Sequence, residues 1–305
     1  MRKLFLIAAL AAAIGMPSGV RAAESMGDKL QAYIACLNEF SGPAFSARDR
    51  YANWAAESGP TGKETVIYGT YTISEPSKCS KSVAAANAEA PHDADLEAAG
   101  TAYADSVTAL APLLNEANEY YHQENYKDDG MAKGKAMHPK LLAAWSSLAA
   151  ADDKLRSIVD RLNDEATQQE LAEIEKKDGR GSHFLTLTIM TAAKKLTRVE
   201  LDQEQPDPDK IQPLLDSLDK ANQELDQYVG AHQDDVGHGV TQILKNSKDF
   251  ALAARKLMRR VRDKTPFSHV EQMMIESGTG WTVDGSPAAV SKTYNALVDT
   301  YNRAH

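Results

Sequence analysis

Cysteine is nearly absent: the 305-residue chain has two, Cys36 and Cys79. Two thiolates cannot complete a structural zinc site by themselves. His-x-x-x-His ligand pairs enclosing a catalytic Glu are missing too. There is no Gly-x-Ser-x-Gly elbow to seat a hydrolase serine. There is also no dinucleotide-binding glycine fingerprint. The run Gly130-Met131-Ala132-Lys133-Gly134-Lys135-Ala136 echoes a phosphate loop. It is one residue short and carries Ala136 where Ser or Thr would hold magnesium. Net positive charge is lacking as well, since 34 Lys and Arg face 43 Asp and Glu. The resulting charge of −9 repels phosphate backbones, so nucleic acid is not expected as a partner. After residue 22 no apolar run is long enough to span a bilayer.

One long apolar run is present, at the start. Arg2 and Lys3 precede the apolar stretch Leu4 to Gly15, and Val20-Arg21-Ala22 sets small residues at a cut before Ala23. Residues 1–22 read as a secretory signal, which predicts an exported protein, periplasmic or secreted. Losing them removes three cations and no acid, taking −9 to −12. In an oxidising compartment the simplest state of Cys36 and Cys79 is one disulfide across 43 positions.

The rest is written in helical period. Leu96, Ala99, Tyr103, Val107, Leu110, Leu114, Ala117 and Tyr121 make one stripe, with Pro112 inside it. Leu141, Trp145, Leu148, Asp152, Leu155, Val159, Leu162 and Ala166 make another, interrupted by Asp152. Ile211, Leu215, Leu218, Asn222, Leu225 and Val229 carry one polar member, and so do Val240, Ile243, Ser247, Phe250, Ala254, Leu257 and Val261. Shorter stripes run from Leu185 to Val199 and from Val290 to Tyr301. A first helix holds Leu30, Ile34 and Leu37, with a break expected at Gly42-Pro43. Pro139 is expected in the first turn of its helix. Asp207-Pro208 and Ser286-Pro287 each place a cap before a first-turn proline. Val66, Tyr68, Tyr71 and Ile73 around Gly69-Thr70 suggest a small hairpin or an extended arm, taken in the architecture as a minor β-hairpin near residues 65–74. The expected architecture is all-α: an elongated multi-helix bundle of about six to seven helices over residues 23–305. Two stacked sub-bundles dividing near 179–207 would fit the same pattern.

One block combines charge and aromatics: Tyr120-Tyr121-His122-Gln123-Glu124-Asn125-Tyr126-Lys127-Asp128-Asp129, then Ala132-Lys133-Gly134-Lys135 and His138-Pro139. Together with Cys36-Leu37-Asn38, Arg50-Tyr51-Ala52-Asn53-Trp54, Gly69-Thr70-Tyr71 and Tyr294-Asn295, it resembles the YiiG family of exported bacterial proteins. The resemblance covers most of the chain after residue 22. It implies an extracytoplasmic helical protein and transfers no catalytic residue. Some members look lipid-anchored, and this chain lacks the cysteine that would require. Tyr120, Tyr121, Tyr126, Lys127, Asp128, Asp129, Lys133, Lys135 and His138 form the candidate binding segment. The plainer reading of the same block is a well-tied helix–helix corner.

Chemistry is otherwise sparse. Glu119-x-x-His122 has the spacing used in di-iron bundles, but no second well-placed pair accompanies it, so these two are weak metal candidates. Asp234-Asp235, between His232 and His238, offers a second cation candidate, with a solvated loop the plainer reading. No cofactor and no catalytic residue is assigned. Arg255, Arg259 and Arg262 share a helix face that would suit an anionic surface, with pairing to acids of the preceding helix as the alternative. The sequence therefore points to a non-enzymatic helical protein that binds a protein or another component of the cell envelope. A metal-binding protein or a carboxylate-based hydrolase is the alternative.

Overall fold

The computed structural model describes residues 26–201, 206–233 and 236–304. The secretory signal at 1–22 and the pair Asp234-Asp235 lie outside them. The described residues form ten α-helices and one 3-10 turn, with no strand. The all-α expectation holds, while the count of six to seven helices and the hairpin do not.

The chain parts into two compact units between Ala166 and Thr167. The boundary falls inside one long helix, α5 (Ala132–Asp178), upstream of the 179–207 stretch. That helix buries apolar residues on both sides of the boundary, Leu162 before it and Ile174 after it.

The first unit contains α1 (Met26–Ala52), α2 (Ser77–Asn87), α3 (Ala94–His122), α4 (Tyr126–Asp129) and α5 up to residue 166. α1 runs straight through Gly42-Pro43, where a break was expected. A mid-helix proline costs about 3 kcal/mol. Phe40, Ala44, Phe45 and Ala47 are all buried around it. Each large apolar side chain returns roughly 1.5–3 kcal/mol on burial, so packing outweighs the penalty. α5 likewise begins at Ala132 rather than at Pro139, because Met131, Met137 and Leu141 are buried before and after the proline. The α3 stripe buries every predicted member from Leu96 to Tyr121.

α2 buries only Cys79, Val83 and Ala86, too little for a sequence stripe to reveal. It is held to α1 by the Cys36–Cys79 disulfide, with Cα atoms 5.1 Å apart. Asp152, the polar interruption of the α5 stripe, is buried and satisfied. It accepts from the Ser41 hydroxyl and from Arg156, and the Ser41 oxygen lies 2.7 Å from the Tyr103 hydroxyl. α1, α3 and α5 are thereby tied through one polar network inside an apolar core.

The second unit packs α6 (Ser182–Leu201), α7 (Pro208–Ala231), α8 (His238–Arg262) and α10 (Pro287–Ala304) around one core that includes Ile189, Leu196, Leu218, Phe250 and Leu297. Asp207 caps α7 ahead of Pro208, and Ser286 Oγ accepts from the Ala289 amide at the start of α10, as expected. The two polar stripe members meet each other: Ser247 donates to Asn222 Oδ1 at 2.6 Å. Between α8 and α10 lie the short α9 (His269–Glu276) and the 3-10 turn Gly280–Thr282. α9 buries no residue and is held by a capping box between Ser268 and Glu271.

Candidate functional site

A cluster of aromatic residues of the first unit sits at the C-terminal end of α1. Tyr51 packs on Trp54, Tyr121, His138 and Trp145 with ring centroids 5.2–6.3 Å apart. Tyr120 and Tyr121 meet edge-on at 5.0 Å, and Tyr126 stands 6.4–6.5 Å from both. His138 bridges two elements: its Nε2 lies 3.0 Å from the Glu57 carbonyl and its Nδ1 lies 3.0 Å from the Tyr51 hydroxyl. A carbonyl only accepts, so the Nε2 proton points at Glu57. In the neutral ring, Nδ1 then accepts from Tyr51. Gly59, at φ +101°, lies against the same ring, where a Cβ would sit 3.2 Å from the ring carbon Cδ2.

From Tyr51 the chain leaves α1 and crosses its side as an irregular arm, residues 55–76. This is the stretch expected to hold a hairpin. Its backbone is held by α1 and the residues just after it rather than by a second strand. Trp54 Nε1 donates to the Gly69 carbonyl at 2.9 Å, Arg50 Nε donates to the Tyr68 carbonyl at 2.9 Å, and the buried Thr70 hydroxyl donates to the Ala47 carbonyl at 2.9 Å. Gly69 takes φ +65° and passes so close to Tyr121 that a Cβ would stand 3.2 Å from that residue's own. At the arm's start Glu64 accepts from the Thr61 amide and hydroxyl and from the Gly62 amide. Burial alone would raise its pKa, but these donors outweigh burial and hold the carboxyl below its ordinary value.

Between the arm and α1 is an open hollow of about 360 Å³. Ser46, Asp49, Arg50 and Asn53 line one wall. Their i, i+3, i+4, i+7 spacing puts them on a single face of α1 and the turn that ends it. Tyr68 and Tyr71 line the other wall, 51 % and 49 % exposed. The Arg50 guanidinium sits 4.6 Å from the Tyr71 ring centroid and 5.8 Å from that of Tyr68. Its Nη1 also donates to the Tyr71 hydroxyl at 3.1 Å. Asp49 is engaged by Arg48 at 3.0 Å.

In the block singled out in the sequence, three side chains are buried and most of the charged ones are exposed. Tyr120, Tyr121 and His138 are only 2 %, 5 % and 7 % exposed. Tyr120 donates to Asp129 at 2.7 Å, and Asp129 also accepts from the Lys133 amide at 3.0 Å. Those bonds, the Lys133 amide first, hold the Asp129 carboxyl below its usual range. Burial, with Asp129 adding to it, pushes the Tyr120 hydroxyl up to about 12. Lys127 pairs with Glu124, and Lys133 pairs with Glu116 at 2.9 Å. Tyr126 is half-buried, while Asp128 and Lys135 are exposed. Among the described residues, the buried side-chain polar atoms left without a hydrogen bond are Tyr121 OH and Trp145 Nε1, both in rings packed on Tyr51.

Glu119 and His122 are exposed on the last turn of α3. No group of three or more His, Cys, Asp or Glu among the described residues converges as metal ligands would. On α8, Arg255 is held by Asp219 of α7 and Arg262 by its neighbour Asp263. Lys256 and Arg260 are also paired, with Asp284 and Glu271. Arg259 is exposed and makes no close ion pair among the described residues, although its charge also acts on Asp263. The face is thus largely neutralised by the protein's own acids.

Reading from sequence missed the hollow. Its walls draw on two segments distant in sequence, Arg50-Tyr51-Ala52-Asn53-Trp54 and Gly69-Thr70-Tyr71. The structure joins them through Trp54 to Gly69 and through Arg50 to Tyr68 and Tyr71.

Comparison with known proteins gives the family. The chain is 31 % identical over 280 residues to "Uncharacterized protein YiiG" of Escherichia coli (strain K12), covering 90 % of this chain and 78 % of that protein. No solved structure matches the chain. A family model described as "protein of unknown function (DUF3829)" matches residues 24–303. With that match and that identity, the chain belongs to the DUF3829 family, of which YiiG is a relative.

Proposed function

We propose that the protein is an extracytoplasmic binding protein, not an enzyme, and that it contacts an envelope component through the arm and hollow of its first unit. The observation that carries this reading is the pair of half-exposed rings, Tyr68 and Tyr71, held in place around Arg50 by four hydrogen bonds between the arm and α1 or the turn after it. Val66 on the same arm is half-exposed too, so three large apolar side chains face water on one ordered segment. Exposed aromatic groups on a rigid support mark a contact surface, because little conformational entropy remains to be lost on binding. The one carboxylate lining the hollow, Asp49, is already paired with Arg48, which leaves it engaged rather than poised as a base.

Export is supported by the apolar leader at 1–22 and by the Cys36–Cys79 disulfide, a bond that oxidising compartments preserve. No helix of the described residues is long and apolar enough to cross a membrane.

Retention of the purified protein on peptidoglycan sacculi, on lipopolysaccharide and on immobilised envelope protein tests the reading. One of these should retain the wild type, and a Tyr68→Ala/Tyr71→Ala double variant with an unchanged melting temperature should be retained at least about tenfold less. Equal retention of the variant would remove the hollow from the contact surface. Retention on none of the three would end the binding-protein reading.

A further inference from the structure

The hollow can be given a ligand class. Arg50 has five N–H donors. One, on Nε, is used by the Tyr68 carbonyl and one, on Nη1, by the Tyr71 hydroxyl. The other three find no acceptor among the described residues, and no carboxylate lies within ion-pair reach of Arg50 there. This happens in a chain with an excess of acids, where the neighbouring Arg48 has its aspartate. A guanidinium whose plane is fixed by two hydrogen bonds and two rings, with donors left over, is preorganised for a planar, two-oxygen acceptor. The half-exposed Tyr68 and Tyr71 rings supply flat apolar faces beside it. Ser46 and Asn53 supply a hydroxyl and an amide on the opposite wall.

A ligand matching all three features carries a carboxylate, an apolar ring face and several hydroxyls. We propose that the hollow binds an acidic saccharide, with the sugar's carboxylate on Arg50, its C–H face against Tyr68 or Tyr71, and its hydroxyls toward Asn53 and Ser46. A volume of about 360 Å³ accommodates a small ligand or the end of a chain. The inference rests on the hollow being the contact surface.

Titration calorimetry at low salt tests it with three probes: an oligosaccharide of glucuronate, its neutral glucose counterpart and a phosphorylated glucose oligosaccharide. The wild type should bind the glucuronate probe at least about tenfold tighter than the neutral one, the scale of one charge-assisted pair. Arg50→Lys keeps the charge but loses the fork, and should lose about tenfold for glucuronate while leaving the neutral probe unchanged. Arg50 also ties down the arm, so a control is needed. Thr70→Val removes a different tie between arm and α1, the hydroxyl bond to the Ala47 carbonyl, at a buried residue that does not line the hollow, and should keep glucuronate affinity within about threefold.

Equal affinity for the acidic and neutral probes, or no effect of Arg50→Lys, would overturn the proposal. So would tighter binding of the phosphorylated probe, or a loss with Thr70→Val as large as that with Arg50→Lys. If no saccharide binds while the Tyr68/Tyr71 variant still loses retention on envelope material, the ligand class is wrong and the contact surface stands.

Discussion

Asn222 and Ser247 show how single residues carry the second unit. Each is the polar member of an otherwise apolar helical stripe, and each is buried. They are 25 positions apart and answer one another across α7 and α8. Truncating either leaves a buried polar group without its partner, which costs about 1–3 kcal/mol. Ser247→Ala should therefore lower stability by that amount in urea unfolding. Asn222→Leu in the same chain should recover part of it, because both partners are then apolar. Strictly additive losses in the double variant would show that the hydrogen bond contributes nothing. Asp152 follows the same logic in the first unit, with Ser41, Tyr103 and Arg156 as its partners. The sequence marks all three positions as exceptions to a pattern. It cannot show what satisfies them, because the partners lie on other helices and only packing brings them together. The block from Tyr120 to His138 is a parallel case. Tyr120, Asp129 and Lys133 are visible as a dense polar-aromatic run, but the bonds that bury two tyrosines and His138 there depend on where α1 delivers Tyr51.

Elements were legible in proportion to the apolar surface they bury. α3, α7, α8 and α10 bury residue after residue at three- and four-position spacing, so periodicity alone finds them. α2, α4 and α9 bury three, none and none, and no stripe announces them. The hairpin expected at 65–74 gives way to an extended arm for a different reason. Val66-x-Tyr68 and Tyr71-x-Ile73 do alternate as strands alternate, and only Ile73 of the four turns inward. At the arm's bend the Tyr68 and Gly69 carbonyls find donors in Arg50 and Trp54 rather than in a second strand. Its start depends on Glu64 in ionised form, since Thr61 and Gly62 donate to that carboxylate. Folding lowers the Glu64 pKa, so the carboxylate's support is complete above the unfolded value of about 4.3. It is lost as pH falls through the lower folded value. The Thr61 and Gly62 amide resonances should therefore titrate together, with a midpoint below the ordinary glutamate range. A midpoint at or above about 4.3 would mean that these donors do not hold the carboxylate in solution.

Division into two units gives the molecule two cores, and the covalent staple belongs to one of them. Cys36 and Cys79 both lie before Ala166, and they join α1 to a helix that buries little of its own. A crosslink over this many residues contributes roughly 3–4 kcal/mol, mainly by restricting the unfolded chain. Against a typical domain stability of about 5–15 kcal/mol, that is a large share of one unit's margin and none of the other's. Reduction should therefore act unevenly. Hydrogen exchange in the full chain, with and without reductant, should accelerate through α1, α2 and α3 and in α5 up to residue 166. Amides of α7, α8 and α10 should keep their rates, because their core from Ile174 to Tyr301 contains no part of the staple. The contact surface proposed for the protein sits on the stapled unit, where α1 carries Cys36, Ser46, Asp49 and Arg50 on one continuous helix. A disulfide that steadies α1 thus also steadies the wall of the hollow. Equal acceleration in both units would show that α5 couples them into one cooperative fold and that the staple supports the whole chain. Unchanged exchange in α1 and α2 would show that packing alone holds the first unit, and that the disulfide has no part in presenting the hollow.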